Sequence, residues 1–145
     1  MGVSWISGVA ILVVLFCSSG VAGLRIDNVD VHVAQELLAK GHRYLDVRTE
    51  EEFKKGHVEN ALNIPYMIIN KSLGREKNPK FMNQVLSAIG KEEKLVVGCK
   101  SGVRSMYAIE DLLSEKFKHV CNMEGGFDAW VKKGLPVHYP NKTEL

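Results

Sequence analysis

The sequence predicts an α/β domain built on a mostly parallel sheet. Short runs rich in β-branched residues alternate with segments whose apolar residues recur at helical spacing. Leu95-Val96-Val97 is apolar without a break, as expected of a central strand covered on both faces. The scale fits one core and not two domains, since 145 residues with 46% hydrophobic content and 4 prolines exclude a disordered chain.

The elements follow in order. Val33, Ala34, Leu37 and Leu38 share one helical face and Gly41 supplies a stop, so a helix is expected around Val31 to Lys40. Tyr44 to Val47 reads as a strand. Glu50 to Lys55 reads as a polar helical turn ending at Gly56, and Ala61 to Ile64 as a short strand closed by Pro65. The stretch from Asn70 to Asn78 is the most loop-like. Asn78 is suited to cap a helix with Pro79 at its first position; Phe81, Met82, Val85, Leu86 and Ile89 then repeat until Gly90. After Leu95 to Val97, apolar Met106, Ile109, Leu112 and Leu113 mark a helix beyond Ser105. Val120 to Met123 forms a strand, and Phe127 to Lys133 a helix stopped by Gly134 and Pro136.

The charge balance excludes some partners. With 19 Lys+Arg against 17 Asp+Glu, interleaved along the chain, no basic stripe exists to hold nucleic acid. The 3 cysteines form no CxxC pair and have no neighbouring CxxH, so neither a disulfide framework nor a metal site is expected.

The two ends read as addresses. Residues 1–23 carry no charge, and Val9 to Phe16 has the length of a signal-peptide core; small residues from Cys17 to Gly23 then place a cleavage near Leu24. An uncleaved anchor is the alternative; after cleavage no membrane span is expected. Residues 24–140 then form the domain and 141–145 a polar tail. Lys142-Thr143-Glu144-Leu145 differs at one position from a retention signal, which with the N-terminal run points to the lumen of the endoplasmic reticulum. Asn70-Lys71-Ser72 and Asn141-Lys142-Thr143 are sequons, either glycosylated or occurring by chance.

Cys99 lies where a ligand site belongs in an open α/β sheet, just beyond the carboxyl end of a strand. The loop Cys99, Lys100, Ser101, Gly102, Val103, Arg104 and Ser105 leads into a helix, so its amides and the helix N-terminus can make an anion cradle. There a cysteine is favoured as thiolate, aided by Lys100 and Arg104. Gly102 permits the tight turn, Ser101 and Ser105 offer hydroxyls, and Arg104 is placed to hold an oxyanion with two parallel bonds. The bland alternative is a small core cysteine at a strand end with two solvated cations beside it.

These residues resemble the rhodanese family, in particular its plant-type single-domain sulfurtransferases, over nearly all of Leu24 to Tyr139. Three segments carry the resemblance: Leu45 to Val58, the loop Cys99 to Ser105, and Glu124 to Trp130 followed by Gly134 to Val137. The resemblance implies that Cys99 takes a sulfane sulfur from a donor such as thiosulfate, holds it as a persulfide, and passes it to cyanide or a thiol. It implies no metal and no organic cofactor; a thiol-reductant protein is a candidate partner. Asp46 and Arg48 resemble the family's scaffold residues that brace the site, against the alternative of a surface ion pair. His57 reads as structural and Trp130 as core or pocket wall. Cys121 is either a thiol that resolves Cys99 or a buried free thiol.

Two rival functions remain. Some plant relatives of this fold reduce arsenate with a thiolate and an external thiol, and the Arg-bearing loop suits that oxyanion; other rhodanese domains are binding modules that have lost the cysteine. The fold's dual-specificity phosphatases place five residues between Cys and Arg, whereas Cys99 and Arg104 enclose four, too tight for phosphate.

Overall fold

A computed structural model describes residues 25–140. The N-terminal run with Leu24, and the tail with Asn141 and Lys142-Thr143-Glu144-Leu145, lie outside the described residues. In chain order the elements are β1 (Asp27–Val29), α1 (Val31–Ala39), β2 (Arg43–Asp46), α2 (Glu50–Lys54), β3 (Leu62–Asn63), β4 (Met67–Asn70), β5 (Gly74–Lys77), α3 (Phe81–Ala88), β6 (Lys94–Gly98), α4 (Val103–Ser114), β7 (His119–Met123) and α5 (Gly126–Lys132). Five strands make one sheet in the order β1-β7-β6-β2-β3, with every neighbouring pair parallel.

The unbroken apolar strands are explained by a core on each face. Successive strand residues point to opposite sides. Leu45, Val47, Leu95 and Val97 therefore pack with Phe81 and Val85 of α3 and Ile109 and Leu112 of α4. Tyr44 and Val96 pack on the other face with Val31 and Ala34 of α1 and Trp130 of α5. The result is the helix–sheet–helix sandwich expected of an α/β domain, with Cys99 emerging where β6 leaves the core.

Local signals set the helix starts. Asp30 accepts from the His32 and Val33 amides at 2.8 and 3.0 Å to open α1. Thr49 and Glu52 form a reciprocal capping box that opens α2. Asn78 caps the chain as expected, its Oδ1 accepting the Lys80 amide at 3.0 Å, but Pro79 and Lys80 form a turn and regular α3 begins only at Phe81. The Asn78 Nδ2 donates in addition to Pro65 O and Gln84 Oε1, tying the turn to the helix from outside.

Three further boundaries differ from expectation. β1 is polar, Asp27-Asn28-Val29, and shows no alternation; it becomes a strand because β7 offers an edge, pairing Asn28 with Asn122. The stretch expected to be loop contains the antiparallel hairpin β4–β5. Its turn is made by Asn70, whose Oδ1 accepts from the Ser72 and Leu73 amides at 2.9 and 3.3 Å, while its Nδ2 donates to Glu76. α4 starts at Val103 and so absorbs the end of the Cys99 loop.

Candidate active site

The Cys99 loop is built by two glycine turns pressed together. Gly102 caps α4 with φ 96°, and a Cβ there would meet the Gly125 amide nitrogen at 3.3 Å. Gly126, at φ 60°, leaves even less room, since a Cβ would lie 2.5 Å from the Cys99 carbonyl oxygen. This closeness lets Phe127 N–H donate to Cys99 O at 2.8 Å and Asp128 N–H to Lys100 O at 3.0 Å. α5 thus takes the carbonyls of the loop. Gly102 N–H donates to Cys99 Sγ at 3.0 Å, and the first turn of α4, whose amides have no intrahelical partner, stands behind it. Ser105 Oγ lies 3.4 Å from the same sulfur. Cys99 is 1% exposed, so these donors act on it out of bulk water.

The cations are arranged differently from the sequence expectation. Arg104 offers no open fork: its Nη1 and Nη2 donate to the two Glu52 carboxylate oxygens at 2.8 and 2.9 Å. That bond to Arg104, with help from the Thr49 amide, holds the Glu52 carboxyl at about 2, well below the ordinary range. Lys100 reaches outward to Asp128 at 2.9 Å, and Ser101 and Val103 are exposed at the loop surface. The Gly102 N–H is thus the backbone donor shown at the sulfur, while the Arg104 charge is shared with Glu52.

Asp46 and Arg48 form a buried pair. Arg48 Nη2 donates to Asp46 Oδ2 at 2.7 Å and to Gly56 O at 2.9 Å, and its guanidinium lies 4.0 Å from the centre of the Phe127 ring. Asn63 donates to the carbonyls of both Asp46 and Arg48, locking the strand end. Arg48 and Phe127, with Glu52, Lys55 and Lys100, line a cavity of about 260 Å³ on the rim of the loop.

Residues singled out elsewhere fall outside this group. His57 stacks on Phe53 at 3.7 Å, and its Nδ1 is 3.0 Å from Phe53 O. Trp130 is buried, donating to Pro136 O at 2.8 Å. Cys121 pairs in register with Val96 of β6, three residues short of Cys99 and roughly 10 Å back along the strands. It lines a different cavity, with His42 and Lys94, at the amino ends of the strands. Burial pushes its thiol up to about 11.

Sequence reasoning missed Glu52, Asn122 and Phe127. Glu52 was readable as half of the Thr49 capping box, but its bond to Arg104 spans 52 residues. Asn122, 2% exposed, accepts from Ser105 Oγ at 2.6 Å and has no local signal beyond being polar in a strand. Among the described residues, no three His, Cys, Asp or Glu side chains are grouped to hold a metal ion.

Fold and site together define an α/β domain with one buried cysteine at the head of a helix, in a loop between a central parallel strand and that helix. The Rhodanese-like domain family matches residues 30–133, and the chain belongs to that family. Among its relatives is Protein HIGH ARSENIC CONTENT 1, mitochondrial, of Arabidopsis thaliana, 53% identical over 79% of this chain and 68% of that protein. Thiosulfate sulfurtransferase 16, chloroplastic, of the same plant is 51% identical over 76% of this chain and 91% of its own. The crystal structure of a rhodanese-related protein from Thermoplasma volcanium superposes with a TM-score of 0.63 at 25% identity, covering 78% of this chain and 98% of the other. The rhodanese-like domain and these relatives fit sulfurtransferase activity.

The relatives correct one expectation. The two ends were read as addresses for the lumen of the endoplasmic reticulum, yet these similar proteins are named mitochondrial and chloroplastic. Thr143 stands where the retention signal carries a carboxylate, so the tail lacks one charge of the address that a receptor reads.

Proposed function

We propose that the protein is a thiosulfate-type sulfurtransferase in which Cys99 carries the transferred sulfur as a persulfide. The observation that supports this most is the sulfur itself, buried at the head of α4 and accepting the Gly102 amide at 3.0 Å. That donor favours negative charge on Sγ, in the thiolate and equally in the persulfide.

Cys99 thiolate attacks the outer, sulfane sulfur of thiosulfate. The new Sγ–S bond forms as the old S–S bond breaks, and its electron pair departs with sulfite. Cyanide or a thiolate then attacks the outer sulfur of the persulfide, taking it away and returning Cys99 to thiolate. No general base is needed for either displacement. Within this reading the backbone of Lys100, Ser101, Gly102, Val103, Arg104 and Ser105 forms the anion-binding loop, the Arg104 and Lys100 side chains being held by Glu52 and Asp128, and Asp46 with Arg48 braces it. On the same reading the donor and acceptor approach from the side of the cavity beside Arg48 and Phe127, which Lys100 of the loop also lines. A thiol-reductant protein is a fitting acceptor, and an organelle that keeps thiols reduced is a fitting compartment.

Intact mass tests this. Reduced protein starting at Leu24 is weighed before and after excess thiosulfate, beside Cys99→Ser. One added sulfur atom, absent from the variant and removed by cyanide, is expected. No added sulfur on folded, reduced protein overturns the reading. Arsenate reduction is then the next function to assay, favoured by a relative whose name refers to arsenic.

A further inference from the structure

Behind the cysteine runs a chain of polar side chains that the sulfur-transfer reading does not use. Ser105 Oγ, in a fully buried residue, lies 2.6 Å from Asn122 Oδ1 and 3.4 Å from Cys99 Sγ. A hydroxyl has one proton, so it can be donated to only one of these acceptors at a time. Asn122 is itself held: its Nδ2 donates to Asn28 Oδ1 at 2.9 Å across the β1–β7 pair, which turns its Oδ1 toward Ser105. The shorter contact goes to the amide, and the sulfur keeps the Gly102 N–H as its main-chain donor.

We propose that Asn122 is a positioning residue for sulfur transfer, acting through Ser105. It holds the Ser105 proton while Cys99 is a neutral thiol, and yields it when Sγ becomes negative. A charged sulfur is the stronger acceptor, so the hydroxyl swings from a neutral amide to an anion only when the anion exists. No covalent bond changes in this step. One O–H···O bond is exchanged for one O–H···S bond. The arrangement tempers the Ser105 contribution alone: its donation to Sγ is made against competition from Asn122, while the Gly102 N–H is not shared. The other charged and titratable groups near Cys99 are Tyr44 and Asp46 on β2, Arg48 beyond them, Arg104 on α4, and the Lys100–Asp128 pair at the rim. The proposed substitutions leave all of them in place.

The inference rests on Cys99 being the reactive thiol, which the mass experiment tests separately on the unaltered protein. Its own test compares Asn122→Leu, which removes the competing acceptor on the same branched skeleton, with Asn122→Asp, which makes that acceptor permanent and anionic. The readout is the rate of Cys99 alkylation by iodoacetamide at one fixed pH, with the rate of sulfur uptake from saturating thiosulfate beside it. Asn122→Leu is expected to react faster and Asn122→Asp slower, each by roughly tenfold, the scale of one hydrogen bond to a charged group. In a Ser105→Ala background Asn122→Leu should fall within about twofold of Ser105→Ala alone, since the shared proton is gone, while Asn122→Asp keeps only the repulsion of its charge.

Changes of the same sign for both variants, or an undiminished effect of Asn122→Leu without the Ser105 hydroxyl, would overturn the proposal. Should a buried substitution unfold the domain, Asn28→Ala repeats the test from the exposed edge strand. It frees the Asn122 amide to turn, and alkylation should quicken by a smaller factor; an unchanged rate counts against the chain of bonds.

Discussion

Cys99 and Cys121 sit on neighbouring strands of one parallel sheet and differ in almost everything that governs a thiol. Cys99 is the more buried of the two, yet a backbone amide and a serine hydroxyl lie against its sulfur. Cys121 is half-buried at the opposite end; its S–H donates to Leu95 O at 3.5 Å, and burial pushes it up to about 11. Exposure alone would choose Cys121, whereas the hydrogen-bond donors lie at Cys99. What matters is the strand end: at the carboxyl ends the chain turns into helix α4, whose first amides have no intrahelical partner, whereas the Cys121 sulfur faces the Leu95 carbonyl oxygen.

The comparison breaks outright if the thiols are interchangeable. Cys99→Ser should reduce sulfur uptake and sulfurtransferase turnover to background, and Cys121→Ser should leave both within about twofold of the parent, as surface-like changes do. Loss of turnover in Cys121→Ser, with the fold intact by circular dichroism, would restore the resolving role that the geometry denies it.

The next largest effect concerns what holds the reactive end in shape. Asp46→Ala strands the buried Arg48 charge and should cost about 3–5 kcal/mol of stability, read by urea denaturation. An effect below about 1 kcal/mol would mean that the pair behaves as an exposed one.

Glu52→Gln sharpens the account of Arg104. With the carboxylate neutralised the guanidinium fork is freed, so KM for thiosulfate should fall severalfold while the maximal rate changes little. A raised KM would show that Glu52 positions Arg104 for the donor. The same pair has a pH signature. Glu52 titrates at about 2 in the folded protein against an ordinary 4.5, so its stabilisation is complete above that ordinary value. It drains away as pH falls from about 4.5 toward about 2, and in Glu52→Gln that part of the acid dependence should be missing. The smallest effect is at the other thiol: in Cys99→Ser, alkylation of Cys121 should stay slow until pH approaches about 11.

Much of the frame was legible because it depends on neighbours in the chain. Apolar periodicity marked α1, α3, α4 and α5, and the unbroken Leu95-Val96-Val97 run marked a strand buried on both sides. Cys99 could be found for the same reason: strand, glycine-bearing turn and helix are contiguous, and together they make a dipole-lined pocket. β1 and the β4–β5 hairpin were hidden because their residues are polar or charged. They become strands only through pairing with a partner.

By itself, then, the sequence determined the α/β architecture, the loop and the cysteine at its head, since each follows from spacing along the backbone. Tertiary structure alone decided the partners of the side chains. Arg104 was read as an open anion fork, and folding closes it on Glu52, 52 residues away. Ser105 was read as a hydroxyl donor to the site, and folding sets Asn122 in competition for its proton. Cys121 was open between a thiol that resolves Cys99 and a buried free thiol, and the register of β7 on β6, which carries it to the far end of the sheet, favours the second. Charge pairing and strand register act between segments that local pattern cannot relate, because a side chain's partner depends on where the chain returns.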